Sequence, residues 1–187
     1  YCLQALDDIV KDSINKHVYT LPQSKLKGIK SSPFIYWISD SLRELFCRHY
    51  LEKEAKVITG IKTGNNSATL RYSWEVTNKE KWGNFTKGGD FNKWYGNNWL
   101  VINKENDFAV IKCQKSYTIP KKDYLFKECI TFPETGTKGA SFRLLESDVL
   151  YSNKSSVIFI NEHKFLLGLL NSPLLFYFAD CLNPTVD

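Results

Sequence analysis

The chain has 187 residues, of which 43% are hydrophobic and 24% are charged, and its net charge is +5. This is an ordinary globular composition with enough length for a sizeable core, and the lack of any run of about 18 apolar residues excludes a membrane-spanning helix. Residues 60–122 carry 11 Lys and Arg against 5 Asp and Glu, so the positive charge lies in the middle third. Such a concentration is typical of a surface that binds phosphates, although a solvated basic face is the common alternative.

The cysteines and the start of the chain indicate the cellular compartment. None of the five cysteines forms a CxxC pair, and the three histidines are not spaced near them as zinc ligands would be (Cys2, Cys47, Cys113, Cys129 and Cys181). This predicts reduced, buried thiols in a cytoplasmic protein without a metal site. The chain contains no Met and no signal peptide, so we expect a piece of a longer protein that is not secreted.

The first fifty residues are predicted to be helical. Apolar residues at three- and four-residue steps predict an amphipathic helix over residues 2–19, followed by a linker over 20–32. Ser32 and Pro33 form a cap and a first-turn proline, which predict a second helix to about Tyr50. Its buried face would hold Phe34, Ile38, Leu42 and Leu45, with Arg43 and Glu44 facing solvent.

Short strands follow, and helices return at the end of the chain. Strands are predicted over residues 57–59, 70–76, 99–102, 108–112, 128–132, 140–145, 149–151 and 156–160. Two helices are predicted over residues 162–170 and 173–182, the second beginning with another Ser-Pro pair. Short mixed or antiparallel strands flanked by N-terminal and C-terminal helices indicate an α+β fold rather than alternating βαβ units.

The most unusual segment is residues 82–103, WGNFTKGGDFNKWYGNNWLVIN. It contains three of the five tryptophans together with paired glycines, paired asparagines and lysines. Rings, amides and cations on one surface suit nucleic acid, because amides and cations bond base edges and rings stack on bases. The competing interpretation is a Gly/Asn-rich turn between two strands, with its aromatic rings packed inward.

No sequence motif for catalysis is present. The chain lacks GxSxG, HExxH, a glycine-rich dinucleotide fingerprint and paired carboxylates in a recognisable frame. The loop over residues 60–66 is rich in Gly and Asn but lacks the GxxxxGK[ST] pattern of a phosphate-binding loop. We therefore expect the chain not to be an enzyme by itself.

Several segments taken together resemble a known family. They are SPFIYWIS (32–39), TGNN (63–66) with LRY (70–72), KGGDF (87–91) with KWYGNN (93–98), YLFKE (124–128) with ITF (130–132), LGLLNS (167–172) and LNPT (182–185). From about residue 30 to the end, this order resembles the region after the catalytic domain in BREX-type adenine-specific DNA methyltransferases (PglX). It is similar, more loosely, to type IIG restriction–modification enzymes. Asp90, Cys129 and Phe132 depart from the Glu, Gly and Trp that are usual in the family.

The resemblance implies a function for the matched region. The family methylates the exocyclic amino group of adenine with S-adenosylmethionine, and the matched region resembles its DNA target-recognition domain. Residues 32–187 would then be this domain and residues 1–31 a helical connector, within a bacterial or archaeal cytoplasmic protein of phage defence or restriction. Double-stranded DNA and the catalytic domain of the same chain would be its partners, and the cofactor would bind outside this chain.

The candidate DNA contacts follow from side-chain chemistry, since Asn bonds an adenine edge and Arg or Lys a guanine edge or a phosphate. Base-edge contacts are predicted for Asn65, Asn66, Arg71, Asn97 and Asn98. Phosphate contacts are predicted for Lys62, Lys87 and Lys93 and for the backbone N–H groups of Gly88 and Gly89. Stacking or wedging is predicted for Trp94 and Tyr95, with further contacts from Lys138 and Arg143.

Other functions stay open on sequence alone. Aromatic platforms also suit nonspecific binding of single-stranded nucleic acid. A carbohydrate-binding module would use the same Trp, Asn and Gly residues, although neutral sugars need no cations. The aromatic segment would also suit an interface with a catalytic domain of the same chain, provided that a large apolar patch is exposed.

Overall fold

The computed structural model describes residues 6–7, 10–11, 20–29, 35–46, 51–135 and 139–182. The chain divides into two compact units, one of residues Tyr1–Tyr50 with Asp180–Asp187 and one of Leu51–Ala179. Most of the predicted helix over 2–19 lies outside the described residues, as does Lys138. The predicted boundary at residues 31 and 32 stays a prediction.

In the first unit, the predicted helix from Pro33 begins later than expected. A 3-10 helix spans Gln23–Gly28 in the predicted linker, and helix α1 spans only Asp40–Phe46. Residues 35–39 are not helical. The hydroxyl of Ser39 accepts a hydrogen bond from the Leu42 N–H at 3.3 Å, so Ser39 caps the helix start.

Arg43 was predicted to face solvent, and this prediction is wrong because the side chain is buried. Its Nη2 atom donates to the carbonyls of Ile35 at 3.1 Å and Ile38 at 3.4 Å. These carbonyls lie in the non-helical segment before α1, where they have no helical N–H partner. The guanidinium therefore supplies donors that a helix would have supplied.

The second unit contains eight short strands and four helices within its described residues. The strands are β1 Lys56–Ile58, β2 Leu70–Tyr72, β3 Trp82–Thr86, β4 Leu100–Asn103, β5 Cys129–Pro133, β6 Arg143–Leu145, β7 Val149–Tyr151 and β8 Ser155–Phe159. The helices are α2 Asn66–Thr69, α3 Glu105–Lys112, α4 His163–Leu170 and α5 Pro173–Leu182, the last of which continues into the first unit. Short 3-10 turns span Leu51–Lys53, Ser73–Glu75 and Lys122–Tyr124.

The strands form two four-stranded sheets. The first sheet has the order β1-β8-β5-β6 and is antiparallel throughout. The second has the order β2-β4-β3-β7, in which only the β3–β7 pair is parallel. The predicted α+β fold of short mixed strands is confirmed. Across the described ranges, no helix has both the length and the apolar character needed to cross a membrane.

Each sheet packs in a hydrophobic cluster, and a further cluster joins the two sheets by packing Cys129 and Leu145 of the first against Val149 and Tyr151 of the second. Phe85, Ile102 and Leu150 of the second sheet pack with Phe108 and Ile111 of α3. On the first sheet, Ile130 and Ile158 pack under the buried face of α4, formed by Leu166, Leu167 and Leu170. Burying side chains of this size contributes about 1.5–3 kcal/mol each, so these clusters hold the sheets in place under the loops.

Most predicted elements of the second unit are found within a residue or two of their expected limits. Strand β3 was not predicted, and the strand predicted from residue 140 begins only at Arg143. Two further predicted strands need larger corrections. The predicted strand over 108–112 lies instead in the segment Glu105–Lys112, where Asn106, Asp107 and Phe108 form a turn with φ values of 49°, 56° and 63° and the residues after it are helical. Phe108 and Ile111 are both buried in the core of the second sheet. The predicted strand over 70–76 ends at Tyr72, where the Glu75 carboxylate accepts from the Tyr72 N–H at 2.8 Å and closes a 3-10 turn.

Candidate nucleic-acid interface

Residues 87–99, here called the central loop, connect the paired strands β3 and β4 of the second sheet. Halfway along, the loop reaches the first sheet through Trp94. The Trp94 N–H donates to the Phe142 carbonyl at 2.9 Å, and the Leu144 N–H donates to the Trp94 carbonyl at 2.9 Å. The loop is therefore fixed to strands of both sheets.

Asn97, predicted to contact a base edge, is part of the internal framework of the loop. The residue is only 3% exposed and has a φ of 62°, which Asn tolerates better than most side chains. Its Nδ2 atom donates to the carbonyls of Gly88 and Asp90, both at 3.0 Å, and its Oδ1 accepts from Asn92 at 2.8 Å. Both amide protons are used, so the structure corrects the predicted base contact.

The predicted DNA contacts of Gly88 and Arg143 are also wrong, because both groups bond within the chain. The Gly88 N–H, predicted to bind phosphate, donates instead to the buried hydroxyl of Ser155. Arg143, a predicted DNA contact, is only 1% exposed, and its Nη2 atom donates to the Gly88 carbonyl at 3.1 Å. Burial lowers the pKa of the Arg143 guanidinium because the charged form loses hydration. Ser155 and Arg143 therefore fix the central loop at Gly88.

Lys93 is also engaged within the chain. Its ammonium donates to the Asn171 carbonyl at 3.1 Å and lies 4.1 Å from the centre of the Phe176 ring. The Asn171 side chain in turn bonds both the N–H and the carbonyl of Phe142. Lys93 therefore fixes the loop to the junction between α4 and α5 and is not the free phosphate ligand that was predicted.

The aromatic rings of the central loop face solvent. Trp94 is 52% exposed and Tyr95 is 61% exposed, and Phe91 and Trp99 are exposed as well. The inward-packing interpretation is wrong for these four rings, whereas Phe85 of β3 is fully buried in the core of the second sheet. Exposed rings on a fixed backbone are suited to stacking on bases or wedging between them.

A second region lies where the loop after β1 meets the segment after α3. The backbone of Lys62 pairs with that of Thr118 in both directions, at 2.9 and 3.0 Å. A Cβ on Gly64 would lie 2.7 Å from the Ser116 carbonyl and from the Gln114 Cβ, so only glycine permits this approach. Between the two segments lies an open groove of about 820 Å³, here called the amide groove, which is lined by residues 64–67 and 113–116.

The amides of this groove are less committed than that of Asn97. The Asn65 Oδ1 accepts from the Ala68 N–H and from the Ser67 hydroxyl, and the Asn66 Oδ1 accepts from Thr63 at 2.6 Å. Both residues are exposed, and neither Nδ2 atom bonds any described residue. Each amide therefore keeps its donors for a partner.

Arg71 is the middle residue of β2, and its side chain reaches back to Ser67 at the amide groove. Its Nη1 donates to the carbonyls of Ser67 and Leu70, both at 2.6 Å, and its guanidinium lies 5.7 Å from the centre of the Trp82 ring. The side chain is held in one orientation yet exposed, and its Nη2 atom makes no hydrogen bond to a described residue. Such a guanidinium is suited to bonding a guanine edge.

Four predicted contacts remain after these assignments. The ammonium groups of Lys62 and Lys87 have no acceptor among the residues that the structure places, and Lys62 is exposed. Gly89 is exposed with a φ of 92°. The Oδ1 of half-buried Asn98 has no hydrogen-bond donor within the same part of the chain.

Sequence reasoning did not select the pair formed by Tyr72 and Trp74. Their rings are stacked with centres 4.7 Å apart and planes 7° apart, and Trp74 is 71% exposed. The Ser73 N–H donates to the Trp99 carbonyl at 2.9 Å, which fixes the pair beside the end of the central loop. Their i, i+2 spacing is visible in the sequence, but the extended strand predicted there does not indicate stacking.

Gly60, at the start of the loop after β1, packs closely against the chain's own backbone. A Cβ on Gly60 would lie 2.4 Å from the carbonyls of Tyr151 and Ser152, so this glycine packs against a strand. The described ranges contain no cluster of three or more His, Cys, Asp or Glu side chains that would hold a metal ion. Cys129 and Cys181 are buried, but Cys113 is exposed in the amide groove, so the prediction of buried thiols is wrong for Cys113.

Comparisons with known proteins show that the chain is similar to part of two adenine-specific methyltransferases. No protein-family model matches it. It is 30% identical to the adenine-specific methyltransferase PglX of Lacticaseibacillus casei (strain Zhang) over 98% of the chain and 18% of that protein. It is 27% identical to the adenine-specific methyltransferase BrxX of Escherichia coli O9:H4 (strain HS) over 88% of the chain and 15% of that protein. The chain spans less than a fifth of these relatives and is related to one segment of BREX-type adenine-specific methyltransferases.

Proposed function

We propose that the chain is the DNA target-recognition part of a site-specific adenine methyltransferase of a phage-defence or restriction–modification system. Two features of the basic middle third of the sequence carry the proposal. The central loop has exposed aromatic rings, and the amide groove has Asn side chains whose Nδ2 atoms bond no described residue. Methylation of the exocyclic amino group with S-adenosylmethionine belongs, in this proposal, to the catalytic domain of the full-length protein.

Base chemistry requires a separate recognition surface. An enzyme that modifies a base rotates it out of the duplex, so the neighbouring bases must be recognised by other groups. Asn65 and Asn66 offer an amide to an adenine edge and Arg71 offers a guanidinium to a guanine edge, each worth about 1–3 kcal/mol of discrimination. These three side chains are the proposed base contacts.

Phosphate contacts orient the duplex without selecting its sequence. Lys62 lies next to the amide groove in the chain, and Lys87 begins the central loop. The backbone N–H of the exposed Gly89 is the third proposed phosphate contact. These groups give the proposed interface a salt-dependent term in its affinity.

Trp94 and Tyr95 are the proposed wedge or stacking residues. Their rings are exposed while their backbone is tied to β6, so stacking costs little loop ordering. Rings of this kind also bind unstacked bases of single strands, so nonspecific single-strand binding is the alternative function.

Binding measurements on the full-length protein test the proposal. We expect tighter binding to duplex than to single strands, a defined motif selected from a randomised duplex pool, and a steep salt dependence. Lys62→Ala should reduce the slope of log K against log salt by about 1. Lys53→Ala, which removes an exposed lysine beside β1, is the matched control and should leave the slope near that of the wild type. Selection of no motif, or preference for single strands, would contradict the proposal.

The helices at the end of the second unit favour a second function, docking on the catalytic domain of the same protein. Phe165 and Leu169 of α4 are exposed, as are Leu174 and Tyr177 of α5. Exposed apolar side chains of this size indicate a protein contact. Hydrogen exchange of the full-length protein tests this role, because a docked α4 should be protected and Phe165→Ser should remove that protection. Equal exchange of α4 in the wild type and in Phe165→Ser would exclude docking through this face.

A further inference from the structure

The guanidinium of Arg143 is placed where it costs stability. It is almost completely buried, and its one hydrogen bond to a described residue is the bond to the Gly88 carbonyl. The Nε and Nη1 atoms have no acceptor in the part of the chain that the structure describes. A buried charge that is incompletely hydrogen-bonded is commonly less stable than an apolar side chain of similar volume at the same place. The fold alone does not explain an arginine here.

The position of Arg143 relative to the central loop gives a different explanation. The Gly88 carbonyl accepts both the Arg143 Nη2 at 3.1 Å and the Asn97 Nδ2 at 3.0 Å. Gly88 has a φ of 38°, and a Cβ there would lie 3.1 Å from the Lys154 carbonyl, so the backbone is tightly enclosed. Two donors on one carbonyl fix the point at which the loop leaves β3.

The backbone around Arg143 fixes the other end of the same segment. Its neighbours Phe142 and Leu144 make the two backbone hydrogen bonds with Trp94. Strand β6 thus holds residue 88 by a side chain and residue 94 by its main chain. The exposed rings of Trp94 and Tyr95 stand directly after this segment.

We propose that Arg143 is a positioning residue that holds residues 88–94 of the central loop so that Trp94 and Tyr95 meet the DNA in one orientation. The proposal rests on the proposed DNA-recognition function. Arg143 itself touches no base and no phosphate. In this proposal, the buried Arg143 lowers the stability of the fold but fixes the conformation of the loop. Binding sites that need rigid side chains commonly show such a loss of stability.

The test compares three variants of the full-length protein. Arg143→Met removes the donor while keeping an unbranched side chain, and Arg143→Lys keeps a donor for the Gly88 carbonyl. Arg43→Met is the matched control, because Arg43 is also buried but belongs to the first unit. Three quantities are measured: the unfolding temperature, amide hydrogen exchange resolved by peptide, and the motif selected from a randomised duplex pool.

We expect Arg143→Met to unfold at the wild-type temperature or above. Amide exchange over residues 88–95 should become about tenfold faster, the effect of losing one hydrogen bond to a charged group, while β3 and β4 exchange as before. The selected motif should lose the positions that depend on Trp94 and Tyr95 and keep those that depend on Asn65 and Asn66. The amide exchange rate of the loop in Arg143→Lys should lie between the rates in Arg143→Met and in the wild type. Arg43→Met should leave the exchange rate of the loop unchanged.

Three results would overturn the inference: unchanged loop exchange in Arg143→Met, an unchanged motif despite faster loop exchange, or a lower unfolding temperature with faster exchange throughout both sheets. The last would make Arg143 an ordinary structural residue. If the wild type selects no motif, the proposed function fails separately, and the exchange data still decide whether Arg143 holds the loop.

Discussion

The central loop and the amide groove use the same residue type in opposite ways. Asn97 is buried and gives both amide protons to carbonyls of its own loop, whereas Asn65 and Asn66 are exposed and keep their Nδ2 atoms unbonded to described residues. What the central loop presents outward is its rings. The comparison shows that one surface offers shape and stacking and the other offers hydrogen-bond donors.

The way in which the fold holds each region explains why Asn97 is bonded within its loop and Asn65 and Asn66 are not. The central loop leaves the second sheet, contacts the first sheet at Trp94 and returns to the second sheet. It has no regular backbone ladder of its own, so side chains must satisfy its carbonyls. The amide groove is closed by backbone pairing of Lys62 with Thr118 and by the close approach of Gly64 to Ser116. Because backbone contacts stabilise the amide groove, the side-chain amides of Asn65 and Asn66 remain available to bind a partner.

The largest expected effect is on stability, from Asn97→Ala. It removes three hydrogen bonds and leaves buried polar groups unpaired, so we expect the free energy of unfolding to fall by about 3 kcal/mol. Asn66→Ala should change it by less than about 0.5 kcal/mol, because the side chain is exposed. Denaturant unfolding gives both values. Asn97→Gly, which relieves the positive φ but restores no hydrogen bond, is the control. Equal effects of Asn97→Ala and Asn66→Ala would remove the distinction between the regions.

Gly64→Ala should be the next largest change. The added Cβ would contact the Ser116 carbonyl at 2.7 Å, and the φ of 73° disfavours alanine, so we expect a loss of about 2 kcal/mol. Gly168 of α4 is the matched control, since a Cβ there meets no atom within 4 Å. Gly168→Ala should raise the free energy of unfolding by about 0.5–1 kcal/mol through helix propensity. If Gly64→Ala is as stable as wild type, the amide groove is not held by this contact.

Thiol modification separates the two regions by their effect on DNA binding. Cys113 lines the amide groove and is exposed, whereas Cys129 is buried in the first sheet. A maleimide should therefore label Cys113 and spare Cys129, and the bulky adduct should weaken duplex binding about tenfold by excluding a contact worth 1–3 kcal/mol. Mass spectrometry identifies the labelled residue, and Cys113→Ser should be insensitive to the reagent. Undiminished binding by fully labelled protein would place the DNA elsewhere.

The smallest expected effect concerns pH. Burial, with a smaller contribution from the Glu128 carboxylate, raises the pKa of Cys129 from 9.0 to about 12. The folded state therefore keeps the proton that the unfolded state releases, so the stability contribution is complete below pH 9 and is lost as the pH rises toward 12. We expect a decrease of about 1 kcal/mol between pH 9 and pH 10. In Cys129→Ala, the free energy of unfolding should lack this decrease with pH. An identical pH dependence in the wild type and in Cys129→Ala would contradict the burial of the thiol.

The sequence predicts the fold better than it predicts which polar side chains are available. Local patterns were sufficient for β5, β7 and α4, because alternation and apolar spacing depend on neighbouring residues. Helix α3 was missed because it is short and begins with a turn of positive φ at Asn106–Phe108, which no apolar spacing indicates. Amides at Asn66 and Asn97 look alike in sequence, and only the tertiary structure shows that one meets two carbonyls. The burial of Arg143 likewise depends on strand pairing between segments distant in sequence.

The most direct test of the two-region account is the DNA motif methylated by the full-length protein, compared between two double variants. Asn65→Ala/Asn66→Ala removes donors from the amide groove, and Trp94→Ala/Tyr95→Ala removes rings from the central loop. We predict that each double variant relaxes different positions of one motif while both proteins stay folded. Relaxation of the same positions by both, or an unchanged motif in either folded protein, would contradict the account.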